Sequence, residues 1–206
     1  MKDHEIVSEI RRVIEIESAS IRQLLDTLNE NTITEVVKLI ADCKGRVIIS
    51  GCGTSAMAAK KVAHSLCCIE RPALFLSPSD AVHGALGVVQ ENDILILISK
   101  GGNTQELVPI LHAAITKKAK TIAVTENPDS LIGKDASLVL EVKVDREPCR
   151  FNMLATASTL AVISTFDAIC IALMSYMGYT REQFAVIHPG GAVGARLLSK
   201  RKDEEK

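Results

Sequence analysis

Tryptophan is absent from this 206-residue chain, and the other aromatics are few: two tyrosines and four phenylalanines. So small a stock of rings leaves little to stack on exposed bases, and nothing favours a nucleic-acid partner. Charge of one sign is also missing. Twenty-four lysines and arginines stand against 25 aspartates and glutamates, so charge alone implies no partner. The six cysteines, Cys43, Cys52, Cys67, Cys68, Cys149 and Cys170, follow no Cys-x-x-Cys spacing. They read as small apolar side chains in a reducing compartment. The start, Met1-Lys2-Asp3-His4-Glu5, has no basic stretch followed by an apolar core, so no secretory signal is expected and the cytoplasm is the expected location. The longest apolar run, residues 159–174, is interrupted by Ser164, Thr165 and Asp167. It is read as a buried core helix too short for a membrane span.

What the chain does have is apolar substance, 47% of its residues, enough for one full core. Residues 6–28 carry Ile6, Ile10, Val13, Ile14, Ile21, Leu24, Leu25 and Leu28 at helical spacing, and residues 34–41 repeat the pattern. From Arg46 onward, strands and helices alternate. Strands are expected at 47–50, 73–76, 94–99, 121–125 and 138–142, and helices at 55–66, 104–116 and 130–134, with a connection at 80–87. The strands are near-continuous runs of Val, Ile and Leu, as in a sheet covered on both faces. The prediction is a five-stranded, doubly wound parallel α/β sheet, flavodoxin-like, in a single domain. Helices occupy 1–45, the core and C-terminal helices 46–198, and a charged tail 199–206. Residues 153–177 read as one long buried helix stopped by Gly178, followed by a short helix at 181–184.

Two segments carry the chemistry. In the first, the strand ending at Ser50 breaks into Gly51-Cys52-Gly53-Thr54-Ser55 and resumes as a helix. Glycines allow close approach of the backbone to an anion, Thr54 and Ser55 offer hydroxyls, and the helix aims free N–H groups at the same point. About fifty residues on, Ser99-Lys100-Gly101-Gly102-Asn103-Thr104-Gln105-Glu106 repeats the design. In an open α/β sheet both turns lie at the carboxyl ends of strands, where ligands bind. A dinucleotide fingerprint fails, because Ala56 stands at the third glycine position and the strand at 73–76 ends without an acid for a ribose. His83, Glu147 and His188, in His-Gly, Glu-Pro-Cys and His-Pro-Gly-Gly contexts, also stand out; His4, His64 and His112 do not.

Taken together, Gly51 to Ser55, Ser99 to Glu106, His83-Gly84-Ala85-Leu86-Gly87, Glu147-Pro148-Cys149 and His188-Pro189-Gly190-Gly191-Ala192-Val193-Gly194 resemble the sugar isomerase domain (SIS) family. Within it they are most similar to the D-arabinose-5-phosphate isomerases of the Kdo pathway. The likeness runs from about residue 34 to 198 and stops before any C-terminal CBS pair, as in a SIS-only member. It implies that Ser50, Thr54, Ser55, Ser99 and Thr104 hold the phosphate of a sugar phosphate, joined in the two turns by Gly53, Lys100, Gly102 and Asn103. Glu106, Glu147, His83 and His188 match the acidic residues and histidines of the active site. Moving a proton between C1 and C2 through a cis-enediol needs one base for both carbons and a second group at the oxygens. Glu147 is assigned the carbon base, His188 the acid and base at oxygen, and His83 the positioning of hydroxyls. The resemblance also implies a homotetramer with shared active sites, and no cofactor.

The chain departs from the family pattern at two places. Thr54 stands where the isomerases commonly have Lys, as in the isomerase domain of glucosamine-6-phosphate synthase, and Lys100-Gly101-Gly102-Asn103 replaces Asn-Ser-Gly-Glu. Lys100 either supplies the displaced charge to the phosphate or points to solvent. A 6-phospho-3-hexuloisomerase and a sugar-phosphate-binding regulator are the rivals. No residues fall at metal-ligand spacing, so isomerase activity on pentose phosphates is expected to survive exhaustive treatment with a chelator. Activity that disappears and returns with one divalent ion would refute this.

Overall fold

Five short runs of Val, Ile, Leu and Ala become parallel strands. In the computed structural model, which describes residues 2–190 and residue 194, these are β1 (Val47–Gly51), β2 (Ala73–Phe75), β3 (Ile94–Ile98), β4 (Lys120–Thr125) and β5 (Leu138–Glu141). They pair in the order β2-β1-β3-β4-β5, all parallel. The helices are α1 (Asp3–Thr27), α2 (Glu30–Asp42), α3 (Gly53–Cys67), α4 (Pro78–Ala81), α5 (Val108–Thr116), α6 (Leu131–Asp135), α7 (Ala157–Tyr176) and α8 (Arg181–Ile187). The doubly wound α/β class and the helical N-terminus are as the sequence pattern predicts.

β3 shows why the strands do not alternate in polarity. All five of its residues are buried, with Ile94, Ile96 and Ile98 in one core and Leu95 and Leu97 in the other. The first core joins α2, α3 and α7 to the sheet through Ile40, Val62, Leu66, Phe166 and Leu173. The second sets α5 and α6 on the opposite face through Ile110, Leu111 and Ile132. Alanines at 58, 59 and 63 let α3 lie close against the strands. Asp93, nearly fully buried, accepts from the N–H groups of Arg46 (2.7 Å) and Gln90 (2.8 Å), which satisfies its charge at the foot of β3.

Several boundaries differ from expectation, four of them for a clear local reason. α2 begins at Glu30 because the Asn29 side chain caps it, accepting from the Thr32 N–H at 3.0 Å. The helix expected over 104–116 opens as a 3₁₀ turn, Gln105–Leu107, and becomes α-helical at Val108, with Pro109 in its first turn. α8 continues to Ile187, started by a reciprocal cap between Thr180 and Gln183. α7 begins at Ala157 instead of residue 153, because Met153 and Leu154 stand exposed in a bonded loop described below. At 20 residues α7 is long and apolar enough to cross a bilayer, so the expectation that the run is too short was wrong. Here its buried side packs against α1, α2 and α3, and its Asp167 pairs with Lys61 of α3.

α1 leaves much of its apolar stripe uncovered. Ser20 and Leu24 are its buried residues, while Ile6, Ile10, Ile14 and Leu25 are exposed. The last amphipathic piece and the tail from 199 lie outside the described residues, as do Gly191, Ala192 and Val193 of the His-Pro-Gly-Gly segment.

Phe166, fully buried, is among the largest side chains of the α3/α7 core. Phe166→Ala is expected to destabilise the fold by about 3–5 kcal/mol, the usual loss for an aromatic deleted from a core. The urea midpoint measures it, and a loss under about 1 kcal/mol would contradict this packing.

Candidate functional site

Strand order reverses between β1 and β3, and the register there fixes the geometry. Gly51 pairs with Ile98, so both strands end at the same height and their two turns emerge side by side. Gly51 is required by space: a Cβ there would sit 3.0 Å from the Ser55 backbone and 3.1 Å from the Ile98 carbonyl. Gly102 is required twice, since its φ is +69° and a Cβ would overlap the Ser130 side chain. Between the turns and β2 opens a crevice of about 440 Å³, lined by Gly51, Gly53, Lys60, Ser77 and Glu106 among others. That volume suits a small ligand.

The expected phosphate-holding residues divide into struts and free donors. Ser50 is fully buried and donates to the Leu76 carbonyl at 2.8 Å, tying β1 to the chain after β2. Ser99 is also buried. Its hydroxyl accepts from the Gly102 N–H at 3.1 Å and lies 2.8 Å from the Thr104 hydroxyl. Asn103 uses its Oδ1 on the Leu131 N–H at 3.1 Å, which joins the second turn to α6. Gly53 and Thr54 are exposed and Ser55 is half-buried at the start of α3. The capping residue Cys52 makes no side-chain cap, so the first N–H groups of α3 are available to an anion.

Lys100 stands on the second turn with its backbone pinned: its carbonyl accepts from the Thr125 hydroxyl at 2.8 Å and the Glu126 N–H at 2.9 Å. Its ammonium donates to Glu147 Oε1 at 2.9 Å. The Lys100 side chain is 34% exposed and that of Glu147 only 1%. Glu147 Oε2 accepts from the N–H groups of Thr156 (2.9 Å) and Ser158 (3.5 Å) at the start of α7. Burial pushes the Glu147 carboxyl up, but hydrogen bonds from Ser158, Thr156 and Lys100 outweigh it and hold the group below its ordinary value. Its own N–H donates to Asn152 Oδ1 at 2.6 Å, and Arg12 of α1 donates to the Pro148 carbonyl at 2.7 Å. In the same loop, N–H groups of Leu154 and Met153 point at the Cys149 sulfur and lower its thiol pKa.

The two histidines are not among the lining residues, although His83 directly follows Val82, which is. His83 is exposed on the turn after α4, and His188 ends α8. Neither lines the crevice or the small pocket, about 30 Å³, that Ser55, Lys100, Thr125 and Ser158 help to form. His188 stacks on Phe184 with ring centres 3.9 Å apart, and its Nδ1 is 2.9 Å from the Phe184 carbonyl. A carbonyl only accepts, so Nδ1 carries a proton, and in the neutral tautomer this selects the lone pair is on Nε2. One chain therefore brings together the two turns, Glu106, Lys100 and Glu147. Asn152, Thr156 and Ser158, which hold Glu147, went unrecognised in the sequence. The signal for them is faint: a Thr and a Ser near the start of an apolar helical run, which is ordinary helix-start composition.

An open parallel sheet with its crevice at the point of strand reversal defines a doubly wound α/β ligand-binding domain. The SIS domain profile matches residues 39–177, and the chain belongs to the SIS domain family. It is 34% identical over 201 residues to the arabinose 5-phosphate isomerase KpsF of Escherichia coli O6:H1, covering 98% of this chain and 62% of that protein. It is 36% identical over 188 residues to the arabinose 5-phosphate isomerase GutQ of Escherichia coli K12, covering 91% and 58%. The chain thus spans about three-fifths of the length of these relatives. A Listeria monocytogenes protein described as a candidate sugar-phosphate isomerase superposes with a TM-score of 0.91 at 54% identity, covering 92% of this chain and all of that one. An Escherichia coli CFT073 protein, solved in complex with a sugar phosphate, superposes with a TM-score of 0.88 at 26% identity over the same shares.

The lowered carboxyl of Glu147 sets a pH dependence. A group whose pKa falls on folding contributes stability above its unfolded value, near 4.5, and loses it as pH drops through the folded value. The stability advantage of the wild type over Glu147→Gln is expected to shrink between about pH 5 and pH 3, read from urea midpoints. An advantage that stays constant over that window would show that folding does not lower the Glu147 pKa, and one that grows as pH falls would show that folding raises it.

Proposed function

We propose that the chain interconverts D-arabinose 5-phosphate and D-ribulose 5-phosphate through a cis-enediol, using side chains and backbone amides alone. The observation that carries this reading is the pairing of Gly51 with Ile98, which sets two glycine-bearing, hydroxyl-bearing turns over one crevice in a chain of this family. The free N–H groups of α3, Thr54 and Ser55 suit a terminal phosphate. A carboxylate then moves the proton between C1 and C2, and an imidazole with a free Nε2, as in His188, serves O1 and O2.

The working form in this proposal is a cytoplasmic homotetramer with shared active sites. Two features support the assembly: neither histidine lines the crevice of its own chain, and apolar side chains of α1 (Ile6, Ile10, Ile14) and of the loop near Glu147 (Phe151, Met153, Leu154) are exposed.

A coupled assay across pentose and hexose phosphates, beside calorimetric binding of the same compounds, tests the function. Turnover of D-arabinose 5-phosphate above that of any hexulose phosphate is the expected result. Preference for a 3-hexulose 6-phosphate would move the chain to that isomerase class. Tight binding with no turnover would make it a sugar-phosphate sensor.

A further inference from the structure

The ion pair between Lys100 and Glu147 joins the turn after β3 to the loop after β5, and it is strongly asymmetric. Glu147 shows 1% of its side chain to solvent, and both its oxygens are engaged by Lys100, Thr156 and Ser158. A carboxylate so enclosed would have to give up these bonds to reach a carbon-bound hydrogen of a sugar. Lys100 is different. Its side chain is one-third exposed, its backbone is clamped by Thr125 and Glu126, and Glu147 takes one of the three N–H bonds of its ammonium. It lines the small pocket with Ser55, the hydroxyl that closes the first turn. Glu106, an exposed carboxylate, lines the crevice at Gly51 and Gly53 of that same turn. The 51–55 turn thus has Glu106 beside Gly51 and Gly53 in the crevice and Lys100 beside Ser55 in the small pocket, with Glu147 bonded to the lysine.

Resting on the isomerase reading, we infer that Glu147 is a positioning residue, that the ammonium it holds is the group of this pair that meets the substrate, and that Glu106 takes the proton from carbon. In the direction from aldose to ketose, the Glu106 carboxylate accepts the proton of C2. The electron pair of that C–H bond becomes the C1–C2 double bond, and the carbonyl pair moves onto O1. The Lys100 ammonium stabilises this oxygen by a charge-assisted hydrogen bond while keeping its own proton. The O2 hydroxyl proton passes to O1 through the imidazole that serves both oxygens in the proposed function, the carbonyl forms at O2, and Glu106 returns its proton to C1, with no external oxidant or reductant. Thr54, neutral where a cation is common in the family, is then matched by a cation on the facing turn whose role is at the oxygen of the sugar.

The test compares Lys100→Met, Glu147→Gln, their double variant and Glu106→Gln with the wild type, each corrected for its folded fraction. On D-arabinose 5-phosphate, kcat is expected to fall by about 10²–10³-fold in Lys100→Met and in Glu147→Gln, with KM changed by less than about tenfold. The double variant should be no slower than the slower single one, because the two residues act as one unit. Exchange of the C2 proton with deuterated water should persist, slowed, in Glu147→Gln and vanish in Glu106→Gln. The proposal is overturned if Lys100→Met stays within about threefold of wild type while Glu147→Gln loses turnover, or if the two losses multiply. It is equally overturned if exchange vanishes in Glu147→Gln and survives in Glu106→Gln. Breaking a buried pair by removing one partner is strongly destabilising, so a single variant that fails to fold is replaced by a second measurement on the unmodified protein. That measurement is acetylation of Lys100 by acetic anhydride, read by mass spectrometry against Lys38 of α2. D-arabinose 5-phosphate at saturation should protect Lys100 and not Lys38. Binding and turnover without protection would overturn the inference and leave the isomerase reading standing, whereas absence of both binding and turnover would remove the isomerase reading first.

Discussion

A carboxylate taken almost wholly out of water must be matched by donors, and in this chain the need to match Glu147 organises everything on the ligand side of the sheet. Residues 145–156 forgo helix to do it. Asn152 adopts a left-handed φ of 55° and accepts the Glu147 N–H, while Thr156 and Ser158 turn their N–H groups toward the carboxylate where α7 begins. Lys100 reaches the same carboxylate from the turn after β3, and Arg12 anchors the loop to α1. One anion thereby links the second turn, the loop after β5 and the long core helix, and Arg12 adds the N-terminal helix through the adjoining Pro148.

The crevice shows the same economy in its hydroxyls. Ser50 and Ser99, at the ends of β1 and β3, are buried and spend their hydroxyls within the protein. They stiffen the two turns, and the groups left free for a ligand are backbone N–H groups and the outward hydroxyls of Thr54 and Ser55. Rigid turns with open amides pre-organise an anion site, and Lys60 lines the crevice beside the first of them.

Exposed apolar side chains on α1 and in the loop by Glu147 complete the physical picture. An uncovered stripe as long as Ile6, Ile10 and Ile14, and a cluster such as Phe151, Met153 and Leu154, are unfavourable in water and favour contact with another surface. The loop cluster lies within a few residues of Glu147, so whatever covers it also sits beside the ligand side of the sheet. His188, with Nδ1 held by the Phe184 carbonyl, does not line the crevice of its own chain, and the proposed assembly is what would carry it to one.

The chain's class, the order of its strands and longer helices and the positions of both turns were legible in the sequence, because they rest on local patterns: runs such as Ile94 to Ile98, glycines at 51 and 102, hydroxyls at 54 and 55; the short α4 falls at the start of what reads as a connection at 80–87. The boundaries that moved did so where one side chain spoke for a whole segment, as Asn29 does for α2 and Glu147 for α7. Residue types alone could not separate Ser50 and Ser99 as struts from Thr54 and Ser55 as free donors, since all four are hydroxyls at strand ends and only burial distinguishes them. Nor could they show that Lys100 pairs with a carboxylate 47 positions away. That contact exists because β3, β4 and β5 lie side by side and bring the two loops above them to the same place. Local pattern determined the elements and the turns; the packing of distant loops over the sheet decided which charged groups are enclosed and which remain free to meet a ligand.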